Sequence, residues 1–253
     1  MLGAIAGDII GSVFEYRNVG NEDFELFAPR SHFTDDTVLT VAIADAILNK
    51  KNYEQELREY GLNYPNDYGV NFQKWLYSDL PKPYNSFGNG SAMRVSSVGF
   101  AFNSLEDVLR EAELTAQPTH NHPEGIKGAQ ATAVAIFLAR TGRTKQEIKK
   151  YIEDNFGYQL DGPLTKYSFD ETCQKTVPQA IIAFLYSNSF EDAIRKSVSA
   201  GGDADTRGCI TGGIAHAYYK KIPQFIVDKT KELLPVELLD IVNNFCNAYK
   251  IML

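Results

Sequence analysis

The chain has 253 residues, of which 44% are hydrophobic and 23% charged, and its net charge at pH 7 is -7. That length and composition suit one domain with a sizeable core, and the acidic balance argues against a protein that grips nucleic acid through a generally basic surface. Cys173, Cys209 and Cys246 are scattered, odd in number and free of C-x-x-C spacing, so they read as buried thiols of a reducing compartment, and the protein as cytoplasmic.

The apolar run 2–14 lacks a basic leader segment, contains Asp8 and is too short to span a bilayer, so a core helix is expected there and no membrane association. Within it Gly3, Gly7 and Gly11 recur every four residues, which aligns them along one helix side and permits very close approach of a neighbour. Asp8 and Glu15 are seven residues apart and are expected on one face of that helix. Spacing by itself makes Glu15 an exposed carboxylate near a helix end. Residues 18–32 are irregular, and 37–48 are apolar nearly all round, which predicts a helix buried on most faces. Asp35 and Asp36 then stand at its buried N-terminus, where free backbone N–H groups favour anions. Residues 63–83 read as a loop region with a short helix at 72–77, either a lid or wall or a surface excursion without chemistry.

Residues 86–94 form a glycine loop. Gly88 and Gly90 let the backbone come close and present N–H groups to an anion, although a plain turn is the ordinary reading of Gly-x-Gly. In that reading Met93 is a helix residue and Arg94 a solvated cation. Residues 104–107 and 189–192 look like capping boxes that open amphipathic helices. Helices are also expected at 126–140, 177–186 and 226–249, the last broken near Pro235. Gly201 and Gly202 stop the helix opened at 189, and the next begins near Asp205 and carries the small residues Gly208, Gly212 and Ala215. No segment alternates as a strand does, so the expectation is an all-α fold of ten or more helices.

Two acidic clusters, 34–37 and 201–206, thus each open an apolar helix. Gathered carboxylates repel one another unless a cation compensates them. Asp35, Asp36, Asp203 and Asp205 with Thr34 and Thr206 make an all-oxygen set that suits Mg²⁺, Mn²⁺ or Ca²⁺ rather than zinc or copper. Each cluster taken singly reads equally well as a helix cap, and spacing does not show that the two meet. His120 and His122 form an H-x-H pair without a third soft ligand nearby, which favours hydrogen-bonding groups over a zinc site.

With these clusters, the loop 86–94 and the opening segment 7–15 together, the chain resembles the ADP-ribosylglycohydrolases, the family named after the dinitrogenase reductase-activating glycohydrolase, over residues 3 to about 218. The resemblance implies a single all-α domain with two divalent cations, Mg²⁺ or Mn²⁺, below a cleft for ADP-ribose. By that match Thr34, Asp35, Asp36, Asp203, Asp205 and Thr206 are metal ligands and Glu15 a mobile carboxylate at the metal centre, which reverses the reading from spacing. Asp35, Asp36 and Glu15 become the catalytic candidates, and Thr37 stays a structural helix residue. Ser86, Phe87, Gly88, Asn89, Gly90, Ser91 and Met93 match the loop around the diphosphate and distal ribose, with His120 and Gly202 as further substrate contacts. Glu124 either faces the leaving group or caps the following helix. Arg207 departs from the aliphatic residue of many relatives, and either pairs with an acid or reaches the substrate. The implied partners are an ADP-ribosylated substrate, a protein before a nucleic acid, and ADP-ribose as product. Arginine is the favoured acceptor, with serine, O-acetyl and nucleobase linkages as the others. The competing expectations are a non-catalytic ADP-ribose binder and a metal-dependent phosphoesterase.

Overall fold

The computed structural model describes residues 1–17, 19–164 and 169–252. These form fourteen helices: α1 (Leu2–Gly11), α2 (Asp35–Asn49), α3 (Tyr53–Asn63), α4 (Val70–Leu76), α5 (Gly90–Met93), α6 (Ser96–Ala101), α7 (Leu105–Ala116), α8 (Pro123–Arg140), α9 (Lys145–Phe156), α10 (Cys173–Leu185), α11 (Phe190–Ser199), α12 (Ala204–Tyr219), α13 (Gln224–Glu232) and α14 (Val236–Ala248). Among the described residues there is no strand, only an isolated antiparallel bridge between Gly88 and Thr172.

The centre of the fold is the crossing of α1 and α12. All ten residues of α1 are buried, and its glycines meet small residues of α12 backbone to backbone. A Cβ on Gly7 would lie 1.9 Å from the carbonyl oxygen of Gly208, one on Gly212 2.0 Å from that of Gly3, and one on Gly11 2.5 Å from that of Ala204. Glycine costs helix propensity of about 1 kcal/mol per residue, and here the close dispersion contact offsets it. The two stripes of small residues seen in the sequence are therefore the two sides of one contact.

The same helix also fixes the start of α2. Asp8 is fully buried and accepts from the backbone N–H of Thr34 at 3.0 Å and of Thr37 at 3.2 Å, from the Thr34 hydroxyl at 2.7 Å, and from the Thr37 hydroxyl. A carboxylate is tolerated in a core only when donors surround it, and the free N–H groups of a helix N-terminus are suitable donors. Helix α1 thus grips α12 through its glycines and α2 through Asp8.

Several expectations need correction. Helix α1 ends at Gly11, so Glu15 lies in the turn beyond it and shares no helix face with Asp8. The serines of 104–107 and 189–192 do cap their helices, accepting from the N–H groups of Asp107 and Asp192. Asp192, however, reaches the N–H of Asn188 instead of Ser189, and the reciprocal capping box is formed by Thr144 and Glu147 on α9. The short helix of the 63–83 region is α4, and the 226–249 segment is split into α13 and α14 by Pro235, the N-cap of α14. The three cysteines are buried free thiols. Among the described residues no helix is long and apolar enough to cross a membrane.

Candidate active site

The N-termini of α2 and α12, the turn after α1, the loop before α5 and His120, two residues before α8's cap, converge on one cleft of about 400 Å³. It is lined by the acidic group Glu15, Asp35, Asp36, Asp203 and Asp205 with Thr206, and by Ser86, Gly88, Asn89, Gly90, Met93 and His120. The two acidic clusters, some 170 positions apart in the chain, touch directly: the Thr206 hydroxyl donates to Asp36 Oδ1 at 3.2 Å.

Each helix end arranges its own acids. At α2 the Thr34 hydroxyl accepts from the N–H of Asp36 at 3.2 Å while donating to Asp8. At α12 the N–H of Thr206 is shared by Asp203 Oδ1 at 3.3 Å and Asp205 Oδ1 at 2.9 Å. The loop joins the acids through Asn89, whose amide donates to Asp203 Oδ2 at 2.6 Å and to Thr176 Oγ1 at 3.0 Å. Before Asp203 the chain turns through Gly201 (φ +75°) and Gly202 (φ +78°), a left-handed pair that only glycine adopts freely.

Not every expected residue faces the cleft. Thr34, Phe87, Ser91 and Gly202 are absent from its lining. The Ser91 hydroxyl points to the carbonyl of Gly125 at 2.7 Å, and the Phe87 ring packs edge-on to His122, 5.3 Å between centroids. His122 caps α8 by accepting from the N–H of Glu124 at 3.1 Å, and Glu124 pairs with Lys127. Arg94 is completely buried, which overturns its reading as a solvated cation. Arg207 is buried and reaches back to the carbonyls of Ser197, at 2.9 Å, and Gly201, bracing the glycine turn instead of lining the cleft. The sequence reading missed Tyr16, Asp67, Tyr84 and Glu171, which also line the cleft, and the role of Asp8. For Asp8 a signal was present, since one carboxylate inside a wholly apolar run must find donors.

The acids raise one another's pKa. Burial, then the charges of Asp8 and Asp203, pushes Asp35 up to about 8. Burial and neighbouring carboxylates hold Asp36 and Asp205 well above the usual carboxylate range. Glu15 is raised by burial and by Asp203, Glu171 and Asp67, against a hydrogen bond from Tyr16. Among the described residues no three carboxylate, imidazole or thiolate groups are gathered into a ready-made metal cage. The donor set nevertheless fits a hard divalent cation: it is all oxygen, it is short of positive charge, and Asp36 Oδ2 is buried with no hydrogen-bond partner.

The family model described as ADP-ribosylglycohydrolase matches residues 1–250. The ADP-ribosylhydrolase ARH3 of Mus musculus is 26% identical over 317 residues, covering 88% of this chain and 84% of its own. That of Homo sapiens is 27% identical over 304 residues, covering 87% and 84%. A solved ADP-ribosylglycohydrolase-related protein complex superposes with a TM-score of 0.76 over 100% of this chain and 97% of that one, at 21% identity, and so shares the fold. A match spanning nearly the whole chain, and not the acidic motifs alone, settles the assignment: the chain belongs to the ADP-ribosylglycohydrolase family, generally metal-dependent hydrolases of ADP-ribosylated substrates, and is a glycohydrolase enzyme.

Proposed function

We propose that the enzyme hydrolyses the bond between the anomeric carbon of ADP-ribose and an acceptor group, releasing ADP-ribose, with two divalent cations, Mg²⁺ or Mn²⁺, held by Asp35, Asp36, Asp203, Asp205 and Thr206, with Glu15 and Thr34 beside them. The observation that carries this reading is the meeting of the acidic ends of α2 and α12 in one cleft with the glycine loop. Cations held by those oxygens would supply Lewis acidity to the reaction.

The chain's own groups do the rest. Cleavage at an anomeric carbon builds oxocarbenium-like charge, which the carboxylates facing the cleft stabilise. Asp35 or Asp36 orients the attacking water. Glu15, on a turn and not on a helix, has its pKa raised by burial and by neighbouring carboxylates, which suits it to pass a proton to the leaving group. Gly88 and Gly90 leave room for the diphosphate, and Asn89 ties the loop to Asp203.

Arginine is the favoured acceptor, because Asp67 and Glu171 add negative charge to the lining and a guanidinium is the acceptor that charge attracts. A protein substrate is favoured over a nucleic acid by the net charge of -7. The three free thiols support a cytoplasmic setting.

The test is a panel of arginine-, serine-, O-acetyl- and nucleobase-linked ADP-ribose incubated with Mg²⁺, Mn²⁺ or EDTA, with products separated by chromatography. Metal-dependent release of intact ADP-ribose is expected, fastest from arginine. Release of AMP makes the protein a phosphoesterase, and ADP-ribose binding without turnover on any substrate makes it a binder.

A further inference from the structure

We propose that Arg94 and Thr119 act as positioning residues that hold His120 as the neutral tautomer protonated on Nε2, so that it presents an N–H donor to an anionic oxygen of the ligand in the cleft. Arg94 follows the glycine loop at the end of α5 and borders the cleft, yet has no exposed surface. Its Nη2 donates to the carbonyl of Thr115 at 2.7 Å and to the hydroxyl of Thr119 at 2.8 Å, while Nε and Nη1 have no partner. A guanidinium carries donors only, so at this contact the Thr119 oxygen accepts. Its own hydrogen is then available to His120 Nδ1, 2.7 Å away.

An N–H on Nδ1 would instead place a second donor on an oxygen that already accepts from a desolvated cation, using its remaining lone pair. That arrangement is disfavoured, and most strongly where the surroundings screen charge poorly. Tyr84 also reaches Thr119 and competes for the same hydroxyl hydrogen.

The other edge of the ring is left for a ligand. Among the described residues Nε2 has no protein partner at hydrogen-bond distance, and His120, 6% exposed, lines the cleft. The loop comes to it closely: a Cβ on Gly90 would be 3.1 Å from Nε2 and one on Gly88 3.6 Å. Burial and the Arg94 charge keep the imidazole well below its usual pKa, so the ring faces an anion as a neutral donor and not as a cation.

The identity of the anion rests on the reading of the cleft as an ADP-ribose site, whereas the tautomer is measured without ligand. Long-range ¹H–¹⁵N correlation spectra of the full-length, ¹⁵N-labelled protein at neutral pH are expected to show His120 Nε2 protonated and Nδ1 bare. Thr119→Val removes the hydroxyl at constant shape and is expected to mix the tautomers and to weaken ADP-ribose binding, by calorimetry, about tenfold to a hundredfold. Thr119→Ser is expected to restore both. Protonation on Nδ1 in the parent protein overturns the proposal without any variant. Unaltered affinity in a folded Thr119→Val protein overturns the donor role. Should the parent not bind ADP-ribose, the assigned substrate fails, and inorganic pyrophosphate as the probe with the same spectra decides the tautomer and the donor role.

Discussion

The two acidic helix ends that meet in the cleft are built differently. Helix α12 is capped by its own acids, because Asp203 and Asp205 each direct one oxygen to the N–H of Thr206. Helix α2 is capped by its own Thr34 and, from α1, by Asp8, which leaves Asp35 and Asp36 turned to the cleft and Asp36 Oδ2 without a partner. Similar motifs therefore yield one pre-oriented pair of carboxylates and one pair whose charge is less well compensated. The difference follows from what stands behind each helix: a glycine-lined backbone behind α12 and a buried carboxylate behind α2.

The largest expected effect tests whether the two ends form one site. Asp35→Ala and Asp205→Ala should each reduce ADP-ribose release to background while circular dichroism shows an unchanged helical fold. Full activity in either would separate the clusters. Next, Asp8→Ala leaves the N–H groups of Thr34 and Thr37 without their carboxylate. A loss of about 3 kcal/mol is expected, since unsatisfied buried donors and a lost charged cap both contribute. In a chain of this size that lowers the melting temperature by roughly 10 °C. A comparable cut at α12, Asp203→Ala, should cost less, because Asp205 still serves the N–H of Thr206.

The pH dependence separates metal-free from metal-loaded protein. Burial and the neighbouring charges of Asp8 and Asp203 push Asp35 up to about 8 in the fold, far above the ordinary carboxylate range, so the folded state binds more protons between the two. Its contribution to stability is present at low pH and is lost as pH rises through about 8. Added Mg²⁺ or Mn²⁺ relieves that loss, so the cation-induced rise in melting temperature should be larger at pH 8 than at pH 5. An equal rise at both would mean that Asp35 carries no such shift.

A pH effect of the opposite sign lies at the far end of α12. His216 is buried, accepts from the N–H of Gly3 through Nδ1 at 3.3 Å and donates to the carbonyl of Met252 through Nε2 at 2.8 Å, and its pKa is pushed down to about 3. Below about pH 6.5 the unfolded chain binds the proton that this ring refuses, so stability falls by about 1.4 kcal/mol per pH unit. His216→Asn should be less stable than its parent at pH 7, and the gap should narrow between pH 6 and pH 4. A constant gap would mean that the ring is not held neutral.

Much of this molecule was legible in its sequence. The all-α class followed from apolar periodicity, and the glycines at 3, 7 and 11 announced a close helix contact. Helices α3 and α9 were passed over because they are polar on most of their surface, burying only Glu56, Leu57 and Gly61 in α3 and Ile148 and Ile152 in α9. The placement of Glu15 failed because local spacing does not mark where α1 stops. Arg94 was misread because a charged side chain gives no sign in sequence of the carbonyl and hydroxyl that receive it.

Sequence alone determined which oxygens, glycines and apolar faces the protein has, since composition and periodicity are properties of neighbours in the chain. The meeting of 34–36 with 203–206, the clamp of Asp8 on α2 and the Arg94–Thr119–His120 chain were decided only by tertiary structure. Each depends on contacts between residues far apart in sequence, and the free energy of such contacts comes from burial and from donors that exist only once the helices have packed.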